Sequence, residues 1–122
     1  MKEHLSPKEE QVMKILWRLQ YALVREILEE IPDPKPPVTT LSSVVRKLED
    51  RGLVGHKAFG KTHQYFPILK QGEYRKQAFR QLVSDYFSGS YEQLVSFFVK
   101  EENVQMEELE DILRKMKEKE DE

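Results

Sequence analysis

The sequence contains no cysteine, and this absence excludes disulfides, thiolate metal sites and cysteine nucleophiles. It also lacks a long hydrophobic run, because its longest apolar stretch, VSFFV at 95–99, is far shorter than the roughly 20 residues that a membrane-spanning helix needs. The N-terminus MKEHLSPKEE has no apolar signal segment, so we expect the protein to stay in the cytoplasm. No glycine-rich phosphate loop and no nucleophile elbow occurs. We therefore expect neither enzyme activity nor a cofactor.

Net charge is low as well, −2 over 122 residues, which by itself argues against a nonspecific nucleic-acid coat. The charge is unevenly distributed: residues 1–70 carry +3 and residues 71–122 carry −5. The length suits one ordinary domain, or a small domain of about 70 residues with a helical appendage. We expect a basic domain over residues 1–72 and a helical domain over residues 73–122.

The first half of the chain predicts three amphipathic helices, because apolar residues recur there at the spacing of one helix face. The three apolar stripes are Val12, Ile15, Leu16 and Leu19; Val24, Ile27, Leu28 and Ile31; and Leu41, Val44, Val45 and Leu48. Ser6 and Glu9 have the spacing of a capping box before the first stripe. The segment PDPKPP ends the second helix, and Gly52 is well placed to end the third.

Residues 53–68, LVGHKAFGKTHQYFPI, have β-branched and aromatic residues on both sides of a Gly60-Lys61 turn. This pattern predicts a β-hairpin. Three helices followed by a hairpin is the order of a winged helix-turn-helix. The predicted fold is therefore mainly α, with a winged helix-turn-helix of three helices and a β-hairpin wing before a C-terminal helical region.

The third helix, within TTLSSVVRKLEDRG, has many small hydroxyl side chains opposite its apolar stripe. On a helical wheel that polar face consists of Thr39, Ser43 and Arg46, flanked by Thr40, Ser42 and Lys47. Short hydroxyls permit close approach to DNA, and arginine can bind guanine with two hydrogen bonds. On the hairpin, Lys57, Lys61 and His63 suit contact with phosphates. The alternative is that these hydroxyls and lysines only form a solvated surface.

From Glu73 onward the periodicity predicts helices, with a break at SGS, residues 88–90. These helices carry more large apolar side chains than so small a region can bury alone, and the simplest partner is a second copy of the chain. The predicted dimerisation residues are Phe79, Leu82, Tyr86, Tyr91, Leu94, Phe98, Leu109, Ile112 and Leu113. The alternative is that this region folds back on its own N-terminal domain.

Three segments together resemble the penicillinase-repressor (BlaI/MecI/CopY) family of winged-helix transcriptional repressors. They are LSPKEEQVMKILW at 5–17, TTLSSVVRKLEDRGLVGHKAFGKTHQYFPI at 39–68, and SGSYEQLVSFFVKEENVQMEELEDILRKM at 88–116. The resemblance implies a homodimer that binds an inverted-repeat operator in double-stranded DNA, of the beta-lactam-resistance regulator type. It assigns the recognition-helix positions to Thr39, Thr40, Ser42, Ser43, Arg46 and Lys47. The alternative function is that of a winged-helix module that binds protein rather than DNA.

The resemblance also implies a signal from a membrane metalloprotease sensor, which leads to cleavage of the repressor in its second C-terminal helix. Family members are cut there at an Asn-Phe bond, and the matching positions here are Phe97 and Phe98. Two further departures concern DNA. Pro36-Pro37-Val38 replaces a Trp-Ser-Pro segment, and Thr39 and Ser42 stand where basic residues are common. The first change removes an indole that would contact a phosphate, whereas Thr39 and Ser42 predict a different operator sequence rather than lost binding.

A histidine pair on the hairpin and a group of carboxylates on the last helix could suggest other chemistry. His56 and His63 could face each other across the hairpin, but two imidazoles without a third ligand fall short of a metal site, so we expect none. The copper-sensing relatives carry cysteine pairs that this chain lacks. The carboxylates of the last helix lie beside Leu109 and Ile112, which indicates a solvated outer face rather than an acid–base pair.

Overall fold

The computed structural model describes residues 4 to 120. The chain forms two compact units, with the boundary between Gln77 and Ala78. The elements are α1 (Pro7–Leu19), α2 (Val24–Glu30), α3 (Val38–Asp50), β1 (Val54–Phe59), β2 (Thr62–Pro67), α4 (Gln71–Phe87), α5 (Tyr91–Glu101) and α6 (Met106–Glu120). The predicted mainly α fold, with three helices and a hairpin in winged-helix order, is confirmed.

The capping box at the start of α1 forms as the sequence predicts. The backbone N–H of Glu9 donates to the Ser6 hydroxyl at 3.2 Å, and the Ser6 N–H donates to the Glu9 carboxylate at 2.9 Å. Arg51, which follows α3, donates to the same carboxylate at 3.1 Å. Burial alone would raise the pKa of Glu9, but the Ser6 hydrogen bonds and the Arg51 charge outweigh it and leave that pKa lowered.

The proline-rich segment between α2 and α3 contains a cation that caps the C-terminal end of α2. The Lys35 ammonium donates to the carbonyls of Leu28 at 3.0 Å and Glu29 at 3.2 Å, and it also contacts the Ile31 carbonyl. Free carbonyls at a helix C-terminus attract a cation in this way. After α3, Gly52 takes φ +77°, a left-handed conformation that suits glycine.

The hairpin pairs β1 with β2 in antiparallel register from Val54↔Pro67 to Phe59↔Thr62, with Gly60-Lys61 as its turn. A short segment before α2 adds a third piece to this sheet. Ala22 donates to the Tyr65 carbonyl at 2.9 Å, and Tyr65 donates back at 2.8 Å. The wing is thereby attached to the start of α2, as well as to the end of α3.

The core of the first unit is built from one face of each helix and from the hairpin. Its buried residues are Val12, Met13, Ile15, Leu16, Trp17, Ala22, Ile27, Ile31, Leu41, Val45, Leu48, Leu53, Val54, Tyr65 and Leu69. The Trp17 indole is 9% exposed and donates to the Leu69 carbonyl at 2.8 Å. Trp17 is therefore a core residue whose one polar group is hydrogen-bonded.

In the second unit, α5 begins with Ser90, whose hydroxyl accepts a hydrogen bond from the Gln93 N–H at 3.1 Å. Ser88 and Gly89 both have positive φ, so the chain turns sharply between α4 and α5. Val83 and Leu94 are buried. Across residues 4–120, no helix has the length and apolar character that crossing a membrane requires.

Candidate nucleic-acid interface

The exposed face of α3 has the composition that the helical wheel predicts. Leu41, Val45 and Leu48 are buried against the core. Thr39, Ser43, Arg46 and Lys47 are exposed, whereas Thr40 and Ser42 are half-buried at the margins of the face. The first three turns of α3 therefore present hydroxyls and cations to solvent.

Thr40 differs from its neighbours because it lines a second surface. It lies in a groove of about 310 Å³ between α1, the proline-rich segment and α3, together with Lys8, Gln11 and Pro36. Only part of its surface is therefore left to face the exposed side of α3.

The basic part of the α3 face is short. The Arg46 Nε donates weakly to the Ser42 carbonyl one turn earlier, at 3.4 Å. Asp50 is exposed one turn after Arg46 and lies on the same side of the helix. A carboxylate there repels phosphate, so a nucleic acid is best accommodated along the N-terminal turns of α3.

The cations of the wing lie at different places. Lys61 is exposed at the hairpin turn, and His63 is exposed on β2. The Lys57 ammonium lies 4.3 Å from the centre of the Tyr21 ring, a cation–π contact that still leaves the ammonium on the surface.

His56 and His63 do meet across the hairpin, but as a stack. Their ring centres are 4.0 Å apart and their planes differ by 9°, so the rings stack face to face and do not converge on a shared ion. His56 Nδ1 contacts the Glu49 carboxylate of α3. In the described part of the chain, no group of three or more His, Cys, Asp or Glu is placed to hold a metal.

The contact between Glu49 and His56 connects α3 to the wing. Tyr65 lies against both histidine rings, at centroid distances of 5.7 and 6.1 Å. Burial raises the pKa of Tyr65, the Glu49 charge raises it further, and Arg46 opposes them. This link gives the exposed residues of α3 and of the hairpin one fixed geometry.

Residues 35–63 contain six Lys and Arg against only two acidic residues, a concentration of charge that favours one basic face. Two of these six cations point away from the exposed surface of α3 and the wing. In the structure, Lys35 caps α2, and Arg51 binds Glu9 and the His4 carbonyl. The sequence could not show this, because these contacts depend on packing between separate elements.

The remaining cations of the first unit differ in whether they form ion pairs, and the difference follows the side of the unit on which they lie. On α1, Lys14 pairs with Glu10 at 3.2 Å and Arg18 pairs with Glu30 at 3.1 Å. Among the described residues, by contrast, no acidic partner is found for the cations of α3 and the wing. Those unpaired cations are Arg46, Lys47, Lys57 and Lys61.

A further arginine lies next to the wing. A groove of about 520 Å³ along β2 brings Arg25 of α2 together with Lys61, Thr62 and His63. The sequence alone does not connect Arg25 with the hairpin. The contact that joins them is the bridge between Ala22 and Tyr65, which are distant in sequence.

The second unit exposes a large apolar surface. Leu94 is an exception among the predicted dimerisation residues because it is only 8% exposed, and Leu109 is half-buried. The other predicted residues are exposed by 36–78%: Phe79, Leu82, Tyr86, Tyr91, Phe98, Ile112 and Leu113. Phe97, next to Phe98 in α5, is 38% exposed.

The model of the penicillinase repressor family matches residues 5–118. The chain belongs to this family. The match includes α1, α2, α3, the wing and nearly all of the three C-terminal helices, and so confirms the family that the sequence motifs indicate. Penicillinase repressors are transcriptional repressors and not enzymes, in agreement with the expectation from sequence.

Curated relatives in the family are similar over most of their length. The methicillin resistance regulatory protein MecI of Staphylococcus aureus strain N315 is 26% identical over 109 residues, which cover 88% of this chain and 89% of that protein. MecI of Mammaliicoccus sciuri is 26% identical over 111 residues, with the same coverage. The penicillinase repressor of Bacillus licheniformis is 20% identical over 119 residues, covering 93% of this chain and 90% of that repressor.

Proposed function

We propose that this member of the penicillinase repressor family binds an inverted-repeat operator in double-stranded DNA as a homodimer, and thereby represses genes of the beta-lactam-resistance type. In this proposal α3 enters the major groove, and the wing contacts the flanking backbone. The names of the relatives, a methicillin resistance regulator and a penicillinase repressor, support the type of regulation.

The observation that carries the DNA-binding proposal is the contrast in charge pairing on the first unit. Lys14 and Arg18 on α1 are neutralised by carboxylates. Arg46 and Lys47 on α3 have no such partner in the described part of the chain. A cation with no internal partner can neutralise a DNA phosphate, and so release the counterions condensed on the DNA, without breaking an ion pair.

The side chains at the start of α3 support groove entry. Thr39 and Ser43 are exposed and short, so the helix backbone can come close to base edges. In helix-turn-helix proteins the N-terminal residues of the recognition helix make the base contacts. We propose that Thr39, Ser43 and Arg46 read bases, while Thr40, Ser42 and Lys47 contact the margins of the groove.

The homodimer is supported by the exposed apolar surface of the second unit. A groove of about 540 Å³ along α5 and Met106 is lined by Tyr91, Val95 and Val99. Soluble proteins rarely leave so many large apolar side chains together in water. A symmetric dimer would cover them and would place two recognition helices about one helical turn apart, roughly 34 Å, or a multiple of it.

Operator binding at several salt concentrations tests the proposal against a winged-helix module that binds protein. The DNA upstream of the gene supplies the duplex. A repressor should lose affinity steeply with salt, and Arg46→Ala combined with Lys61→Ala should abolish binding. The control is Lys14→Ala combined with Arg18→Ala, which removes the same charge from α1 and should leave affinity nearly unchanged. Salt-insensitive or absent binding would favour the protein-interaction module.

Sedimentation tests the dimer separately. The full chain should sediment with the mass of two copies. Ile112→Glu combined with Leu113→Glu places carboxylates on the exposed apolar surface and should yield monomers, because burying unpaired charge is costly. Ser84→Glu serves as the control, because Ser84 is exposed on the side of α4 opposite the exposed apolar residues of that helix. A monomeric wild type would instead indicate that the C-terminal helices associate only within one chain.

For derepression we propose a membrane metalloprotease sensor whose signal leads to cleavage at Phe97–Phe98. Both residues are partly exposed, but they lie within α5, so this helix must open before a protease can reach the bond. Mass mapping of the repressor from extracts with and without inducer tests this step. An intact chain during induction would contradict it.

A further inference from the structure

The groove between the wing and the start of α2 has a polar rim that the recognition helix does not use. Arg25, Lys61, Thr62 and His63 border it, and Leu23, Val24, Phe59 and Tyr65 form the rest of its lining. We propose that this groove holds one phosphate group of the DNA backbone, with Arg25 as a phosphate-binding residue alongside Lys61. The proposal rests on the DNA-binding function argued above.

The position of Arg25 is fixed by the sheet. The two hydrogen bonds between Ala22 and Tyr65, at 2.9 and 2.8 Å, hold the segment before α2 against β2. Arg25 follows three residues later, on the first turn of α2. Arg25 and Lys61 therefore border the same groove from two different elements.

The charges at this groove are unbalanced. Among the described residues, no carboxylate pairs with Arg25 or Lys61. The nearest acid in sequence, Glu26, accepts a hydrogen bond from the Leu23 N–H at 2.8 Å and so stabilises the start of α2. Two cations with no anion in one concave site attract an anion, and arginine matches phosphate oxygens with two parallel hydrogen bonds.

The free edge of β2 adds a backbone donor. Tyr65 directs both its N–H and its carbonyl to Ala22, so alternate residues of β2 face the same edge. His63, two residues earlier, therefore points its N–H to this edge, where no backbone partner is found in the part of the chain that the structure describes. Backbone N–H groups are common ligands of DNA phosphates.

Arg25→Gln tests the proposal, with binding measured between 50 and 200 mM KCl on an operator duplex and on a scrambled duplex of equal length. Each phosphate contact contributes about 0.9 to the slope of log affinity against log salt. Because a homodimer carries Arg25 twice, the wild type should lose roughly 10- to 15-fold more affinity than the variant over this range, about three- to fourfold for each of the two contacts. Because phosphates carry no sequence information, both duplexes should be weakened by the same factor.

Two matched variants complete the test. Arg25→Lys keeps the charge and should keep the wild-type slope. Arg18→Gln removes an arginine that Glu30 already pairs, and it should not change the slope. Melting temperatures of all variants verify that they are folded.

An unchanged slope for Arg25→Gln, or a loss confined to the operator duplex, overturns the proposal while leaving the repressor function intact. If the wild type binds neither duplex, the proposed function fails and the phosphate site fails with it.

Discussion

The hydroxyl of Tyr74 offers a test of how the first turn of α4 packs against α1. Tyr74 donates to the Glu10 carboxylate of α1 at 2.6 Å, and its ring centre lies 5.6 Å from that of Trp17. Burial, together with the hydrogen bond to Glu10 and the charge of that carboxylate, raises the pKa of Tyr74 to about 12. The same bond lowers the pKa of Glu10. Tyr74→Phe removes the hydroxyl and keeps the ring.

The size of the effect follows from the hydrogen bond. A hydrogen bond to a charged carboxylate contributes about 1.5–3 kcal/mol, and solvent screening at this half-buried site reduces the figure to about 1–2 kcal/mol. Because the folded-state pKa lies above the ordinary value of 10.0, this stability is fully present below pH 10 and is lost as pH rises toward about 12. The phenylalanine variant has no such proton to lose.

Urea unfolding followed by far-UV circular dichroism at pH 8, 10 and 11 checks both parts. Wild type should exceed Tyr74→Phe by about 1–2 kcal/mol at pH 8, with a smaller difference at pH 11. Tyr21→Phe is the control, since Tyr21 is 49% exposed and its hydroxyl has no hydrogen-bond partner in the described residues. A difference that stays constant from pH 8 to pH 11 would refute the bond between Tyr74 and a charged Glu10.

Three further substitutions test local features of the first unit by urea unfolding. Trp17→Phe should lower the free energy of unfolding by about 2–3 kcal/mol, because it leaves the Leu69 carbonyl without its donor and opens a void. A decrease below about 0.5 kcal/mol would contradict the hydrogen bond. Gly52→Ala should cost about 1 kcal/mol through its φ of +77°, whereas Gly72→Ala, within a helix with open space around it, should be neutral or stabilising; equal effects would argue against strain at the first position. Glu9→Gln should remove a contribution to the free energy of unfolding that is present above pH 4.5 and is lost as pH falls through the lowered pKa. Variant and wild type should therefore become equally stable in acid. A stability difference that persists at low pH would show that the carboxylate charge is not its source.

Features set by neighbouring residues were predictable from sequence. The capping box of α1 depends on Ser6 and Glu9 alone, and the hairpin depends on a glycine turn between two β-forming segments. The exposed face of α3 was predictable for the same reason, since helix periodicity decides which side its apolar residues bury. The boundary of α4 was less accurate: the helix begins at Gln71 rather than at Glu73.

Features that depend on packing between distant segments were not predictable. Nothing local indicates that Lys35 caps α2, that Arg51 reaches back to Glu9, or that Ala22 joins the wing. These contacts remove two cations from the expected basic face and bring Arg25 to it. The sequence thus indicates the type of interface, while tertiary contacts decide which of its cations are available.

The proposed function requires that two copies of the chain bind one palindromic operator. Native mass spectrometry of the full chain, mixed with a duplex carrying the palindrome upstream of its gene, measures this stoichiometry. We expect a complex of two chains per duplex, with much weaker binding to a duplex that carries only half of the palindrome. One chain per duplex, or no complex at low salt, would contradict it.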